Sequence, residues 1–221
     1  MMVAKNKRSG RSNTIEWMEA FNTVTIFVLF NILWLFGSLL IVTIPAVTAA
    51  LFASVGPWTR RQSPHKPLAS FFKAAWRYGL KAAVVVIIDL IALTLVVLNL
   101  LILRQMGTDH LMGVLASIVT STVAVLLVLA NVYVWPLLVT LDPPLKDLLK
   151  SSIRLGIIHP FWGLAVAILA VIPLVVSLFL PGFFLLTITF AAPALIIHWG
   201  AWHIIRRYLT EKELQDLGVN L

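Results

Sequence analysis

Between Phe21 and Pro57 the chain carries no charged residue, and four further stretches, 82–103, 112–141, 161–180 and 183–205, are nearly as apolar. About 20 consecutive apolar residues cross a bilayer as a helix, and no soluble core hides several such runs. Composition agrees: 60% of the residues are hydrophobic and 12% charged, against about 25% charged in globular domains. The expected fold class is therefore an all-α polytopic membrane protein. The 37–45 region, Gly37 to Pro45, is read as the turn of a first hairpin, because Phe21–Pro57 is too long for one helix. Pro45 suits the first turn of a second, short helix, whose residues 45–59 cross the bilayer or partly re-enter it. Span 82–103 returns through 112–141 after the loop 104–110, with a bend expected near Pro136. Pro181-Gly182 separates 161–180 from 183–205. The count is six membrane segments.

The segment 1–12 is polar and basic and is expected to lie outside regular structure, with Asn13-Thr14-Ile15-Glu16 as a capping box opening the first helix. The apolar run after it is too long for the h-region of a cleaved signal peptide. The domain reading is a basic tail at 1–13, one membrane domain at 14–207 built of hairpin units near 14–59, 67–141 and 144–207, and a C-terminal tail at 208–221.

The net charge of +8 sits in short segments between spans, with no separate basic domain, which argues against nucleic acid and for anionic lipid. Sorted by loop, Lys5, Lys7, Arg8 and Arg11 precede the first span. Arg60, Arg61, Lys66, Lys73, Arg77 and Lys81 follow the first hairpin; Lys146, Lys150 and Arg154 the second; Arg206, Arg207 and Lys212 the third. Arg104 alone falls on the opposite side. The positive-inside rule then places both termini in the cytoplasm.

Two of these basic segments resemble each other. Pro67-Leu-Ala-Ser-Phe-Phe-Lys-Ala-Ala-Trp-Arg-Tyr-Gly79 aligns with Pro144-Leu-Lys-Asp-Leu-Leu-Lys-Ser-Ser-Ile-Arg-Leu-Gly156, sharing proline, leucine, lysine, arginine and glycine. Leu68, Phe71, Phe72, Ala75 and Trp76 recur at helical spacing, with Lys73 and Arg77 opposite, as Lys150 and Arg154 are in the second copy. Each segment reads as an amphipathic surface helix opened by proline and bounded near glycine, for lipid headgroups or for a cytoplasmic partner. The unit is a surface helix followed by a membrane hairpin, with a third copy starting near Ile15. Lys73-Ala-Ala-x-x-x-Gly79 and Lys150-Ser-Ser-x-x-x-Gly156 also echo the loop by which ABC permeases grip their ATPase, with lysine in place of its glutamate.

Phe36-Gly-Ser-Leu-Leu-Ile-Val-Thr-Ile-Pro-Ala-Val-Thr-Ala-Ala-Leu51, followed by Ser70-Phe-Phe-Lys73, resembles the YesL-like bacterial membrane proteins. The chain departs from that pattern at Ile44 and in its basic linker. The resemblance implies a bacterial inner-membrane protein beside carbohydrate uptake systems, with ABC transporter permease or ATPase subunits as possible partners. It supplies no catalytic residue.

No phosphate-binding P-loop, zinc-binding H-E-x-x-H or nucleophile elbow is present, and the chain has no cysteine. Neither metal nor cofactor is expected, and the chain is read as a non-enzyme that joins a transport system, with a stand-alone carrier or channel as the alternative and a homo-oligomer open. His198 and His203 fall on different helix faces. They are assigned to the end of the last span, where Trp199 and Trp202, with Trp58 and Trp162, read as an interfacial aromatic belt. Asn22, Asn31, Asn99 and Asn131 either join helices or line a polar path, and Gly113, Ala116 and Ser117 permit close helix contact. Asp89 is the one acid well inside a span. In a close hairpin Asn131 would pass within about one turn of its depth and is its candidate partner, so that Asp89, Asn131, Asn31 and Asn99 form the candidate intramembrane site.

Overall fold

The computed structural model describes residues 3–60, 62, 66–106, 111–179, 182 and 187–218, and of residues 3–16, 19, 20 and 106 the backbone only. Among them regular structure is entirely helical: α1 (Val3–Gly37), α2 (Ile44–Thr59), α3 (Pro67–Met106), α4 (Leu111–Leu141), α5 (Leu145–Ile158), α6 (Pro160–Phe179), α7 (Ala191–Ile205) and α8 (Glu211–Asp216). Four helical stretches are long and apolar enough to cross a bilayer: Ile41–Thr59, Pro67–Gln105, Leu111–Leu141 and Pro160–Phe179. Two shorter apolar ones, Phe21–Gly37 and Ala191–Ile205, accompany them. Leucine, isoleucine and valine stay exposed along α3, α4 and α6, a surface only hydrocarbon would solvate. The chain is an all-α, multi-pass membrane protein.

The first hairpin turns where proline and glycine place it. The Thr43 hydroxyl lies against the carbonyls of Gly37 and Leu40, and the Thr43 amide also donates to Leu40, so that the turn pairs groups a helix end leaves open. Pro45 then occupies the first turn of α2. This short helix is central, packing on α1, α3, α4 and α7. Val47, Ala49, Ala50, Leu51, Phe52, Val55 and Gly56 are buried along it, and small residues on it let its neighbours come close.

Several expectations are corrected. The backbone is helical from Val3, so the basic segment does not lie outside regular structure and Asn13 does not open α1. No proline interrupts this stretch, and a helix nucleated by an apolar run extends into its flank at little cost. The surface helix at 67–79 does not stop near Gly79; it runs unbroken into the span as the 40-residue α3. Its copy does stop, with His159 ending α5 and Pro160 opening α6, because proline cannot donate to the preceding turn. Of the expected last span, α7 is described from Ala191, Thr187 is also helical, and residues 183–186 lie outside the described residues. Pro181 and the loop residues 107–110 also lie outside them. Pro136 sits inside an uninterrupted α4.

Gly79 marks a contact instead of an end, and Gly156, two residues before the end of α5, marks a contact too. A Cβ on Gly79 would lie 3.2 Å from the Ala46 Cβ, and one on Gly156 3.3 Å from the backbone of Leu129. Each lets a proline-opened helix press against the span before it, α3 on α2 and α5 on α4.

One end of the bundle gathers the basic segments. Arg77 Nη2 donates to Asp142 Oδ2 at 3.0 Å. Lys81 Nζ donates to Asp142 Oδ1 at 2.5 Å and to the Pro143 carbonyl at 3.1 Å. His159 and Tyr208 meet at 2.8 Å, and Gln62 Nε2 donates to the carbonyls of Leu217 and Gly218. The described C-terminal residues are therefore bound to the bundle, with Leu214 buried. A capping box opens α8: the Thr210 hydroxyl and amide donate to Glu213, which holds its carboxyl below the usual value. Burial pushes the Arg60 guanidinium below its usual value, and it lies over the Trp202 ring at 5.8 Å.

Candidate functional site

Asp89 projects from α3 toward α4, and Asn131 Nδ2 donates to its Oδ1 at 3.1 Å. The same amide nitrogen donates to the Leu127 carbonyl at 3.1 Å, so both amide protons are engaged. An antiparallel hairpin brings the two positions to one depth, about 10 Å from the start of the expected span at about 1.5 Å per residue. The carboxylate's other oxygen has no protein partner among the described residues.

The pair lines two cavities. The larger, about 480 Å³, lies between α3 and α6 against α4, with Leu90, Leu93, Ala167, Ala170, Val171 and Leu174 on its walls. Phe52 and Trp135, ring centroids 5.9 Å apart, form an aromatic side. The smaller, about 230 Å³, lies on the α5 side of the pair and reaches Leu149, Ser152 and Ile153. Among the described residues, Asp89 is the one titratable group lining either. Leu90, Leu93 and Val171 are exposed at the outer surface, so the larger cavity opens sideways, where the bilayer would be. A cavity of about 700 Å³ between α1 and α7 is bigger but, among the described residues, has no charged lining residue.

The remaining candidates lie elsewhere. Asn31 is fully buried, and its Oδ1 accepts from the backbone nitrogens of Phe190 and Ala191 at 2.8 and 3.0 Å. It caps α7 from another helix, a role for which Asn is well suited chemically because helix starts need acceptors. Asn99 Nδ2 donates to Thr120 Oγ1 at 2.6 Å, about 15 Å along α3 from Asp89. Asn22 is exposed. Asn31 and Asn99 occupy separate helix contacts, and of the candidates only Asp89 and Asn131 share a site. Ser117 bonds the Gly113 carbonyl within α4.

His198 faces into the bundle. It is fully buried, with Nδ1 3.1 Å from Thr59 Oγ1 and Nε2 3.4 Å from Thr140 Oγ1. The Thr59 hydroxyl spends its proton on the Gly56 carbonyl, so Nδ1 must donate and Nε2 accept from Thr140. A neutral imidazole thus ties α2, α4 and α7, and Gly56 makes room for it: a Cβ there would lie 2.9 Å from Nε2. Polar residues at the ends of three spans were the signal available in the sequence. The aromatic belt is corrected likewise. Trp202 is buried, Trp58 packs on Phe27 and Phe30, and Trp162 donates to the Gly200 carbonyl at 2.9 Å. Of the four, Trp199 alone is exposed.

The amphipathic face of α3 is divided. Phe71, Ala74 and Tyr78 are buried, while Phe72, Trp76 and Leu80 form an outward stripe, 61%, 92% and 81% exposed. Lys73 beside it is exposed, as are Lys150 and Arg154 on α5, whereas Arg77 is engaged by Asp142. Among the described residues no group of three or more His, Asp or Glu side chains could hold a metal.

No family model, curated protein or solved structure matches the chain.

Proposed function

We propose that this chain is a non-catalytic integral-membrane component or accessory of a transport system, for carbohydrate as the resemblance at 36–73 implies, in a bacterial inner membrane with both termini cytoplasmic and six membrane segments. The observation that carries the reading is the Phe72–Trp76–Leu80 stripe. It is flanked by Lys73 and repeated in kind on α5, where Ile153 and Ile157 lie exposed beside Lys150 and Arg154. Helices with this pattern at a membrane surface hold anionic headgroups, or dock a partner such as an ABC permease or ATPase subunit.

The alternative, a stand-alone carrier or channel, finds less support. A sugar presents many hydroxyls, each needing a partner once dehydrated. The Asp89 cavity offers one carboxylate and one amide among apolar walls, and the other intramembrane asparagines do not extend it into a path. Affinity purification from native membranes tests the proposal. A stoichiometric permease or ATPase partner is expected, lost on Trp76→Glu with the chain still inserted. Sugar uptake by the purified chain alone in proteoliposomes would overturn it.

A further inference from the structure

We propose that the cavity between α3 and α6 binds a protonated amine carried on a small apolar or aromatic body, taken laterally from the bilayer, with Asp89 as its counter-ion. The inference goes beyond the transport reading and does not rest on it.

The cavity's lining includes Asp89 and, among the described residues, no lysine, arginine or histidine. A carboxylate at such depth is costly, about 2.5–3.5 kcal/mol on insertion scales. Asn131 gives it one hydrogen bond, and the second oxygen has no protein partner among the described residues. The Asn131 amide spends its protons on Asp89 and Leu127, and its own Oδ1 is a second acceptor with no donor among the described residues. Two adjacent acceptors in an apolar enclosure match an ammonium group, which brings only donors.

The walls specify the rest of the ligand. Leu90, Leu93, Ala167, Ala170, Val171 and Leu174 are aliphatic, and the stacked Phe52 and Trp135 supply an aromatic side favourable to cations. About 480 Å³ is within the ordinary range for small-molecule pockets. The sideways opening admits a molecule already dissolved in the membrane. A phospholipid amine fits poorly, because its phosphate would have to follow the amine among aliphatic side chains with no cation to receive it.

The test uses the full chain in phosphatidylcholine nanodiscs and octylamine bearing a photoreactive diazirine on its chain, with label positions mapped by mass spectrometry. Labelling of the α3, α4 and α6 segments that line the cavity is expected. Unlabelled octylamine should compete with it, and octanoate and octanol should not. Asp89→Asn should lower occupancy about tenfold, the scale of one charge-assisted hydrogen bond. Ala167→Phe fills the cavity while leaving the acid–amide pair in place, and should abolish the labelling. Equal labelling by amine, alcohol and acid probes would overturn the proposal, as would labelling unchanged in both variants. Competition by phosphatidylethanolamine at membrane concentrations would overturn it too, by making a structural lipid the occupant. If Asp89→Asn fails to fold, the competition series on the natural chain and the Ala167→Phe variant still decide.

Discussion

Asn31 shows how much one side chain can hold in a membrane. Its oxygen receives two backbone N–H groups at the start of α7, where Pro193 follows in the first turn and the N-cap residue, Phe190, has no side-chain cap to offer. In hydrocarbon those amides have no water to turn to. Asn31→Leu should therefore destabilise the protein by about 1–3 kcal/mol, the cost of leaving such donors unpaired, and Asn31→Asp, which keeps the acceptor, should cost less. Thermal unfolding in detergent measures both; equal stability of Asn31→Leu and the natural chain would refute the cap. This contact joins residues far apart in sequence, so no local pattern announces it. The Asp89–Asn131 hydrogen bond was easier to anticipate, since a short loop between two long apolar runs fixes their pairing and therefore their relative depth. His198 was harder for the same reason as Asn31: its partners Thr59 and Thr140 belong to two other helices.

At the level of elements, the turn from α4 to α5 hangs on Asp142. Its φ of 48° is left-handed, a conformation that Asn and Asp tolerate better than other residues with a Cβ. Its carboxylate takes Arg77 and Lys81 of α3, while Lys81 also holds the Asp142 and Pro143 carbonyls. The side chains are part-exposed, so the ion pairs themselves are worth about 1 kcal/mol or less. Asp142→Asn keeps the backbone preference and should cost no more than that. Asp142→Val adds strain at φ 48° and should cost about 1–3 kcal/mol more. Denaturant melts separate the two, and equal losses would show that charge, not backbone, is what matters there. The sequence marks this turn through Pro143-Pro144 but not its anchor on α3. Periodicity likewise located the amphipathic segment at 67–79 yet merged its two apolar sides. Phe71 and Phe72 are neighbours that point to different surroundings, and only packing against α2 decides which is covered.

For the molecule as a whole, the hydrogen bonds among segments 62, 77–81, 142–143, 159 and 208–218 tie them to one end of the bundle. Arg104 lies about 35 Å along α3 from Lys81 at about 1.5 Å per residue, more than the roughly 30 Å of a bilayer's hydrocarbon. Orientation is then a single choice: whichever way one of these segments faces, the others follow. The basic residues should keep that end on the cytoplasmic side, since lysine and arginine bias loops against translocation. The chain contains no cysteine, so single cysteines can report on it without background. Lys150→Cys should be labelled by a membrane-impermeant maleimide only after the cells are opened, and Gln105→Cys in intact cells. Lys150 is exposed on α5, and Gln105 on the far end of α3, so neither result depends on burial within the protein. Labelling of Lys150→Cys in intact cells would reverse the orientation of the bundle and move the Phe72–Trp76–Leu80 stripe away from any cytoplasmic ATPase. Labelling of both from one side would contradict α3 as a span.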